Sequence, residues 1–335
     1  MPTYPGSPTL TVDAMLRKPQ FLARALATLT SKRFIADLIF ARGNADMVAG
    51  GAAWYQRSES IYPDRGAEEV GVRSEFPRTG WSEAVLTAIV RKYGLEAPIA
   101  FETIRRNQID QVQRAQRKLA NAVVKFVDTQ AMALLTTDAA VLTMAGAAAW
   151  TAAATTIVAD LVNARKLVTD QDEGYEVDTL IVNPAQELAF LTNANILSLL
   201  PRENGGANPI SGGRAVPIMG LQRILVTPQL AAGTALLLQA NVVGTIADEQ
   251  PEAGEGYVTF DVGSGAGAGA ATTGSGGGMN LSGPFSNPAN PNVDRPPVYT
   301  KVYTIDGRDE KIVRIARFPA MWLSEPKAAV KITGV

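Results

Sequence analysis

The stretch of residues 101–135 constrains the fold most, because it contains neither proline nor glycine. Its apolar and small residues recur mostly three or four positions apart, as one face of an α-helix requires. A helix of this length is a rod of about 50 Å, whereas helices in globular proteins average about 11 to 12 residues. The pattern therefore predicts a long structural helix around which the rest of the chain is arranged.

The composition excludes several classes of enzyme. The chain has 335 residues, enough for one large or two ordinary domains, and it contains no cysteine and no histidine. Without these side chains it cannot form a Ser-His-Asp triad, a Cys-His nucleophile pair, or a zinc or iron–sulfur site that depends on them. We therefore expect no catalytic residue, no metal site and no cofactor. Chemistry by carboxylates alone is left open.

The net charge of −1 is spread unevenly along the chain. Residues 1–42 carry six basic and two acidic side chains, whereas residues 248–261 carry five acidic and no basic ones. This asymmetry suits a shell with one face toward a polyanion, and it suits two solvated surface patches equally well. The polar start of the chain predicts no signal peptide, and no apolar run reaches the about 18 to 20 residues of a membrane span. We therefore expect no membrane contact.

Residues 54–79 combine many charges with a turn signal at residues 63–66. Alternation on both sides of that turn predicts a long two-stranded hairpin that is polar on both faces. A lone hairpin of this kind is only marginally stable in water, so we expect it to lie on another subunit. The predicted contacts are Trp54, Tyr55, Arg57, Glu59, Arg65, Glu68, Glu69 and Arg73. For each charged member, a solvated surface charge is the alternative.

The remaining segments predict a mixture of helices and strands. Before the hairpin, residues 1–50 are interpreted as an arm with an amphipathic helix over residues 21–29. Strands are predicted at residues 81–95, 177–183, 222–227, 234–240, 257–262, 298–305, 311–318 and 326–332, and helices at residues 155–169 and from Pro184 onward. Asp306 and Gly307 give a strong hairpin signal. Residues 263–278 are rich in glycine but match no phosphate-binding loop, so we interpret them as a low-complexity surface loop.

This order of elements resembles that of the major capsid proteins of tailed double-stranded DNA bacteriophages, whose shell fold also occurs in encapsulins. The resemblance is carried by residues 54–79 (the family's E-loop), 101–135 (its spine helix), 180–184, 217–220, 224–228 and 233–236 (its axial sheet), and 326–332 (its returning strands). It implies an α+β tailed-phage capsid fold. The implied division is an N-terminal arm (1–50), an extended E-loop hairpin (51–80), a peripheral domain with the long spine helix (81–150), an axial α/β domain that includes the glycine-rich loop (151–294), and C-terminal strands that return to the peripheral domain (295–335).

The resemblance also implies a structural, non-enzymatic function. Copies would assemble into pentamers and hexamers of an icosahedral shell around packaged double-stranded DNA, located in the virion capsid after assembly in the host cytoplasm. Further partners compatible with the resemblance are portal and decoration proteins and a separate scaffolding protein, with assembly without a scaffolding protein as the alternative. Some members join a lysine of the E-loop to an asparagine of another subunit, but residues 54–79 contain no lysine, so we expect no such cross-link.

The long helix carries more basic than acidic side chains. We predict that some of them face the lumen and weakly neutralise DNA phosphates, with pairing to acidic residues of neighbouring subunits as the alternative. These residues are Arg105, Arg106, Arg114, Arg117, Lys118 and Lys125. Two other functions stay open at this point. One is an encapsulin-like compartment, and the other is an α/β enzyme or small-molecule-binding protein with a ligand crevice at the strand ends of residues 177–240.

Overall fold

The computed structural model of the chain describes residues 12–17, 34–43, 48–49, 51–57, 65–72, 74–80, 84–106, 108–152, 157–193, 196, 220–251, 255–259 and 298–335. The described chain divides into two compact units. The first unit draws on residues 1–34, 91–127 and 248–319, and the second on residues 35–90, 128–247 and 320–335. Both units combine helices with strands, which confirms the predicted α+β class.

The described helices are α1 (Val12–Arg17), α2 (Ala36–Ile39), α3 (Phe101–Arg105), α4 (Ile109–Thr137), α5 (Ile157–Thr169) and α6 (Pro184–Thr192). The described strands are β1 (Ala41–Arg42), β2 (Val48–Ala49), β3 (Ala52–Arg57), β4 (Ala84–Ile89), β5 (Tyr93–Ala100), β6 (Leu142–Ala145), β7 (Thr179–Val182), β8 (Arg223–Val226), β9 (Thr234–Leu238), β10 (Thr245–Asp248), β11 (Val258–Thr259), β12 (Tyr299–Ile305), β13 (Glu310–Arg317), β14 (Pro319–Trp322) and β15 (Ala329–Thr333). Within these residues, no helix has both the length and the apolar character needed to cross a membrane.

The first unit is built on an antiparallel sheet with the strand order β11–β12–β13–β5. β12 and β13 form the hairpin that Asp306 and Gly307 predict, through one 3-10 turn over Asp306–Arg308. Asp309 closes the turn in the left-handed conformation, with φ at 49°. β13 then pairs with all eight residues of β5. The hairpin signal at the end of the chain is therefore confirmed.

A buried ion pair lies at the end of β13. The guanidinium of Arg317 donates to both carboxylate oxygens of Asp248, at 2.8 and 2.9 Å, and the two side chains are 0% and 5% exposed. The ring of Phe34 lies against the same guanidinium, 4.6 Å from centroid to charge. A guanidinium removed from water needs such a bidentate carboxylate partner, because an uncompensated buried charge is very costly.

The predicted long helix is present, but it is interrupted. α3 ends at Arg105, and α4 begins at Ile109 and runs 29 residues to Thr137. Arg106 caps α3 with ψ at −1°, which turns the backbone away from the helical path. The prediction of one continuous helix over residues 101–135 is therefore wrong at the break. The residue types beside the break do not explain it, because Thr103 lies within α3, and Asn121 and Thr129 lie within the uninterrupted α4.

The second unit contains a five-stranded mixed sheet with the order β6–β15–β9–β7–β8. β15 is parallel to β6 and antiparallel to β9, and β7 is antiparallel to β9 and parallel to β8. β7 and β9 are almost entirely buried, as their unbroken apolar sequences predict. Asn183 begins α6, since its side-chain oxygen accepts the N–H of Ala185 at 3.0 Å and Pro184 occupies the first turn. The helix predicted from Pro184 and the strands predicted around β7, β8 and β9 are confirmed.

The predicted hairpin over residues 54–79 is wrong in its pairing. β3 pairs with β4, from Ala52 opposite Ile89 to Arg57 opposite Ala84, and β2 completes a three-stranded sheet. The described residues 65–72 and 74–80 between these strands form no helix or strand. Gly66, Gly71 and Pro77 interrupt any ladder across this segment, whereas β4 is uncharged and suits a sheet. The predicted strand at residues 81–95 is accordingly two strands, β4 and β5.

Other predictions have mixed outcomes. The helix predicted at residues 155–169 is confirmed by α5, and the closing strand is confirmed by β15. The two-residue strand β11 lies in the segment predicted as a strand at residues 257–262, and β14 was not predicted. The amphipathic helix at residues 21–29 and the glycine-rich loop at residues 263–278 lie outside the described residues.

Candidate assembly surfaces

The hairpin of β3 and β4 has one face on the core of the second unit and one face in solvent. On the inner face, Ala53 and Ala88 are buried in a cluster with Trp322. Tyr55 stacks on the Trp322 ring, with centroids 5.6 Å apart and 24° between planes. On the outer face, the Trp54 side chain is 77% exposed. Because successive residues of a strand point to opposite faces, the buried inner face forces Trp54 outward.

An ion pair joins the end of β3 to the residue that follows α4. Arg57 donates to the carboxylate of Asp138, and both side chains are mostly buried. Burial raises the pKa of Tyr55, while the charge of Arg57 lowers it and that of Asp138 raises it. Arg57 was predicted to contact a neighbouring subunit. The structure gives it a partner in its own chain, and this pair fixes where the loop leaves the sheet.

The described part of the loop, residues 65–72 and 74–80, is almost entirely exposed. Arg65 and Glu68 form a two-pronged ion pair at 2.8 Å, with both side chains about half exposed. Two apolar side chains point into solvent, Val72 at 98% and Phe76 at 82% exposure. Within the described chain neither side chain is buried, so both are available to a partner.

The other predicted contacts divide between described and undescribed residues. Glu69 is exposed in the same loop and directly follows Glu68 in the sequence. Glu59 and Arg73 lie outside the described residues. The structure thus brings Trp54, Arg65 and Glu69 to solvent, and it places Tyr55 and Arg57 partly inside.

The predicted basic residues lie on a solvent-facing side of the helices. The buried face of α4 includes Val112, Leu119, Val123 and Val127. The opposite face carries four exposed basic residues, Arg114, Arg117, Lys118 and Lys125. Positions three, four and seven apart share one side of a helix, so these four charges form one stripe. Arg105 and Arg106 are exposed at the end of α3. Such a stripe attracts a polyanion or an acidic protein surface without reading sequence.

The sequence reasoning missed four exposed apolar residues. Val72 and Phe76 lie in a stretch read as polar, and Val85 and Ile89, at 65% and 70% exposure, lie on the outer face of β4. Isolated apolar residues on a surface are ordinary, so the sequence held no signal that set Val72 and Phe76 apart. Among the residues that the structure describes, no group of three acidic side chains lies close enough to hold a metal ion.

Solved structures share this fold. The capsid structure of the cyanophage P-SCSP1u is similar over 89% of this chain and 86% of its own, with a TM-score of 0.58 and 12% identity. A structure from Microbacterium phage Oxtober96 is similar over 90% of both chains, with a TM-score of 0.57 and 12% identity. A virus-like particle from Pyrococcus furiosus matches 93% of this chain and 97% of its own, with a TM-score of 0.51 and 12% identity. The fold is therefore that of tailed-phage capsid proteins.

A family model establishes the family. The model of the phage capsid protein family matches residues 83–332, well over half of the chain. The chain belongs to the phage capsid protein family, and it is a structural protein that assembles with itself into the shell of a virion capsid. No curated protein sequence matches it significantly.

Proposed function

We propose that copies of this chain assemble as hexamers and pentamers into an icosahedral shell around packaged double-stranded DNA. The observation that carries the proposal is the exposed loop of residues 65–80, whose described residues, 65–72 and 74–80, include exposed apolar side chains and form no helix or strand. Scaffolding, portal and decoration proteins, assembly in the host cytoplasm, and the division into arm, E-loop, peripheral and axial domains belong to the same proposal.

The loop supports contact with a neighbouring copy for an energetic reason. Interfaces of permanent assemblies bury about 2,000 to 5,000 Å² and resemble a protein core. Val72 and Phe76 would lose most of their exposed surface there, and each buried side chain of this size contributes about 1.5 to 3 kcal/mol. Glu69 and the Arg65–Glu68 pair would set the register of the contact more than its strength, because exposed ion pairs contribute about 0 to 1 kcal/mol.

Replacing residues 65–80 with a short Gly-Ser linker tests this contact. β3 and β4 stay paired on the core, so we expect the subunit to keep its circular dichroism spectrum but to form no closed particles in negative-stain electron microscopy. A double variant, V72S/F76S, should weaken assembly in the same direction. The matched control is Leu188→Ser on α6, which also removes an exposed apolar side chain (61% exposed) outside the loop. Normal shells from the linker variant would refute the role of the loop.

The basic stripe of α4 supports contact with DNA in the lumen. Lysine and arginine neutralise phosphates without sequence specificity, and the binding constant falls with salt by about 0.9 log units per log unit for each phosphate contact. We expect the variant R114Q/R117Q/K118Q to reduce the salt dependence of duplex DNA binding by the subunit. Unchanged binding together with defective particle formation would instead indicate that the stripe pairs with acidic residues of another copy.

A compartment that encloses enzymes is the second candidate function, and the fold that this chain shares with the virus-like particle from Pyrococcus furiosus is compatible with it. The two functions differ in what purified particles contain. Nuclease-resistant nucleic acid inside the particles, measured by the ratio of absorbance at 260 and 280 nm, would decide for the DNA shell. Particles filled with a second protein would decide for the compartment.

A further inference from the structure

β4 is the edge of its sheet and presents an uncharged apolar face to solvent. In the order β2–β3–β4, no strand of the described chain lies on the outer side of β4. Val85 and Ile89 are 65% and 70% exposed, and Thr87 between them is exposed as well. Ala88 points the other way and is buried in the core. The buried inner face therefore fixes which side chains of β4 point outward. Within the described chain, the open edge of β4 has no strand beside it.

The hydrogen bonding of β4 shows which backbone groups are unused. The N–H of Val90 donates to the carbonyl oxygen of Gly51 at 2.9 Å. In an antiparallel pair, facing residues alternate between those that exchange both backbone hydrogen bonds and those that exchange none. The alternation from Val90 therefore gives backbone hydrogen bonds to β3 at residues 84, 86 and 88. Val85, Thr87 and Ile89 consequently direct their N–H and C=O groups to the open edge.

Open strand edges are normally protected by charge, proline or a covering element. β5, another edge strand, contains Glu96 and Pro98, and the edge strand β8 begins with Arg223. β4 has the sequence AVLTAI, with neither charge nor proline. An unprotected edge of six residues is a template for another strand, and an uncharged apolar strand is complemented best by another of the same kind.

We propose that β4 pairs antiparallel with β4 of a second copy of this chain, about a two-fold axis through Thr87. The outward-bonding positions must face each other, so the register has to join 85, 87 and 89 of one copy with 89, 87 and 85 of the other. This register places Val85 opposite Ile89 twice and Thr87 opposite Thr87, both favourable cross-strand pairs. It satisfies all three outward-facing residues of each strand, with about six backbone hydrogen bonds.

The two-fold contact adds to the proposed shell, since it rests on copies assembling but concerns a different surface from the loop of residues 65–80. A two-fold contact uses the same patch on both copies, so it joins copies in pairs. The side chains of Val85 and Ile89 then pack against each other across the new strand pair, which covers part of their exposed surface.

A cysteine at the two-fold axis tests the proposal. The chain has no cysteine, so T87C introduces the only thiol. Facing Cα atoms of a hydrogen-bonded pair lie about 5.5 Å apart, but their Cβ atoms lie toward the upper end of about 4.5 to 5.5 Å, beyond the about 3.5 to 4.5 Å of a relaxed disulfide. A short bis-maleimide therefore replaces oxidation, and we expect it to join assembled T87C into a covalent dimer. The matched control is T169C, an exposed threonine at the end of α5, where no strand edge is present. Its cross-linked fraction should be at least tenfold lower.

Hydrogen exchange on the unmodified chain provides a second measurement that does not depend on the variant. The amides of Val85, Thr87 and Ile89 should exchange slowly in particles and at least tenfold faster in isolated subunits. A T87C cross-link no stronger than that of T169C overturns the two-fold pairing. Protected amides without the cross-link also overturn it, because they indicate that a different strand covers β4. Electron microscopy of the same samples separates the two proposals. Shells without the cross-link refute only the β4 contact, whereas wild-type samples without shells refute the proposed function.

Discussion

The substitution Asp248→Asn tests the energetic account of the first unit most sharply. It removes the carboxylate charge that faces Arg317 and keeps the shape of the side chain. Arg317 is fully buried, and its two bonds to Asp248 are 2.8 and 2.9 Å long. The guanidinium cannot lose its own proton, so the substitution leaves an uncompensated charge in the core.

The expected magnitude follows from burial. Breaking a buried ion pair by removing one partner costs about 3 to 5 kcal/mol, a large part of the about 5 to 15 kcal/mol that holds a domain folded. The Arg314–Glu96 pair in the same sheet offers a matched control, because its side chains are 31% and 38% exposed. Glu96→Gln should cost about 0 to 1 kcal/mol. In D248N/R317M, with both charges removed, most of the loss should be recovered.

Urea dependence of hydrogen exchange at β5 and β13 measures these free energies in the first unit itself. Unassembled subunits are used, so that contacts between copies do not contribute. The expectation would be refuted if D248N lowered the free energy of unfolding by no more than E96Q does. It would also be refuted if D248N/R317M were less stable than D248N.

Two further predictions concern single residues. Gly94→Ala should destabilise β5 by about 1 to 3 kcal/mol, because the added carbon would lie 2.7 Å from the carbonyl oxygen of Ile315. Gly66→Ala is the control, since its added carbon would have no atom within 4 Å. Equal urea midpoints for the two variants would contradict this expectation. Burial first, and then the hydrogen bond to Glu325, raise the pKa of Tyr175 above its ordinary 10.0. The folded state therefore binds the proton of the Tyr175 hydroxyl more tightly than the unfolded state does. This difference stabilises the fold fully below pH about 10, and the stabilisation is lost as the pH rises further. Between pH 9 and 11.5 the urea midpoint of the wild type should fall more steeply than that of Y175F, and parallel slopes would contradict this.

The long helix shows what a periodic sequence can and cannot predict. The spacing of apolar residues correctly indicated a helix through most of residues 101–135, because one face of α4 is buried along its length. The break after Arg105 carries no proline or glycine, so no local signal in the sequence marked it. Where a long amphipathic segment is interrupted then depends on tertiary packing, which is not visible in a sequence.

The hairpin shows the same limit for strands. Charge alternation in residues 54–79 suggested pairing within that segment, whereas the strand partner of β3 is the uncharged β4. Pairing was decided by the inner face, where Tyr55 stacks on Trp322, which is far away in sequence. The predicted site residues that proved exposed, such as Trp54 and Glu69, were recognisable from composition. The pairing of Arg57 with Asp138 could not be recognised from the sequence, because 81 residues separate the two.

Cryo-electron microscopy of assembled particles tests the central claim most directly, namely that the exposed loop of residues 65–80 is completed by another copy. The account predicts that Val72 and Phe76 lie buried against a neighbouring subunit in every capsomer. A map in which both side chains stay in solvent, or fold back onto their own subunit, would contradict it.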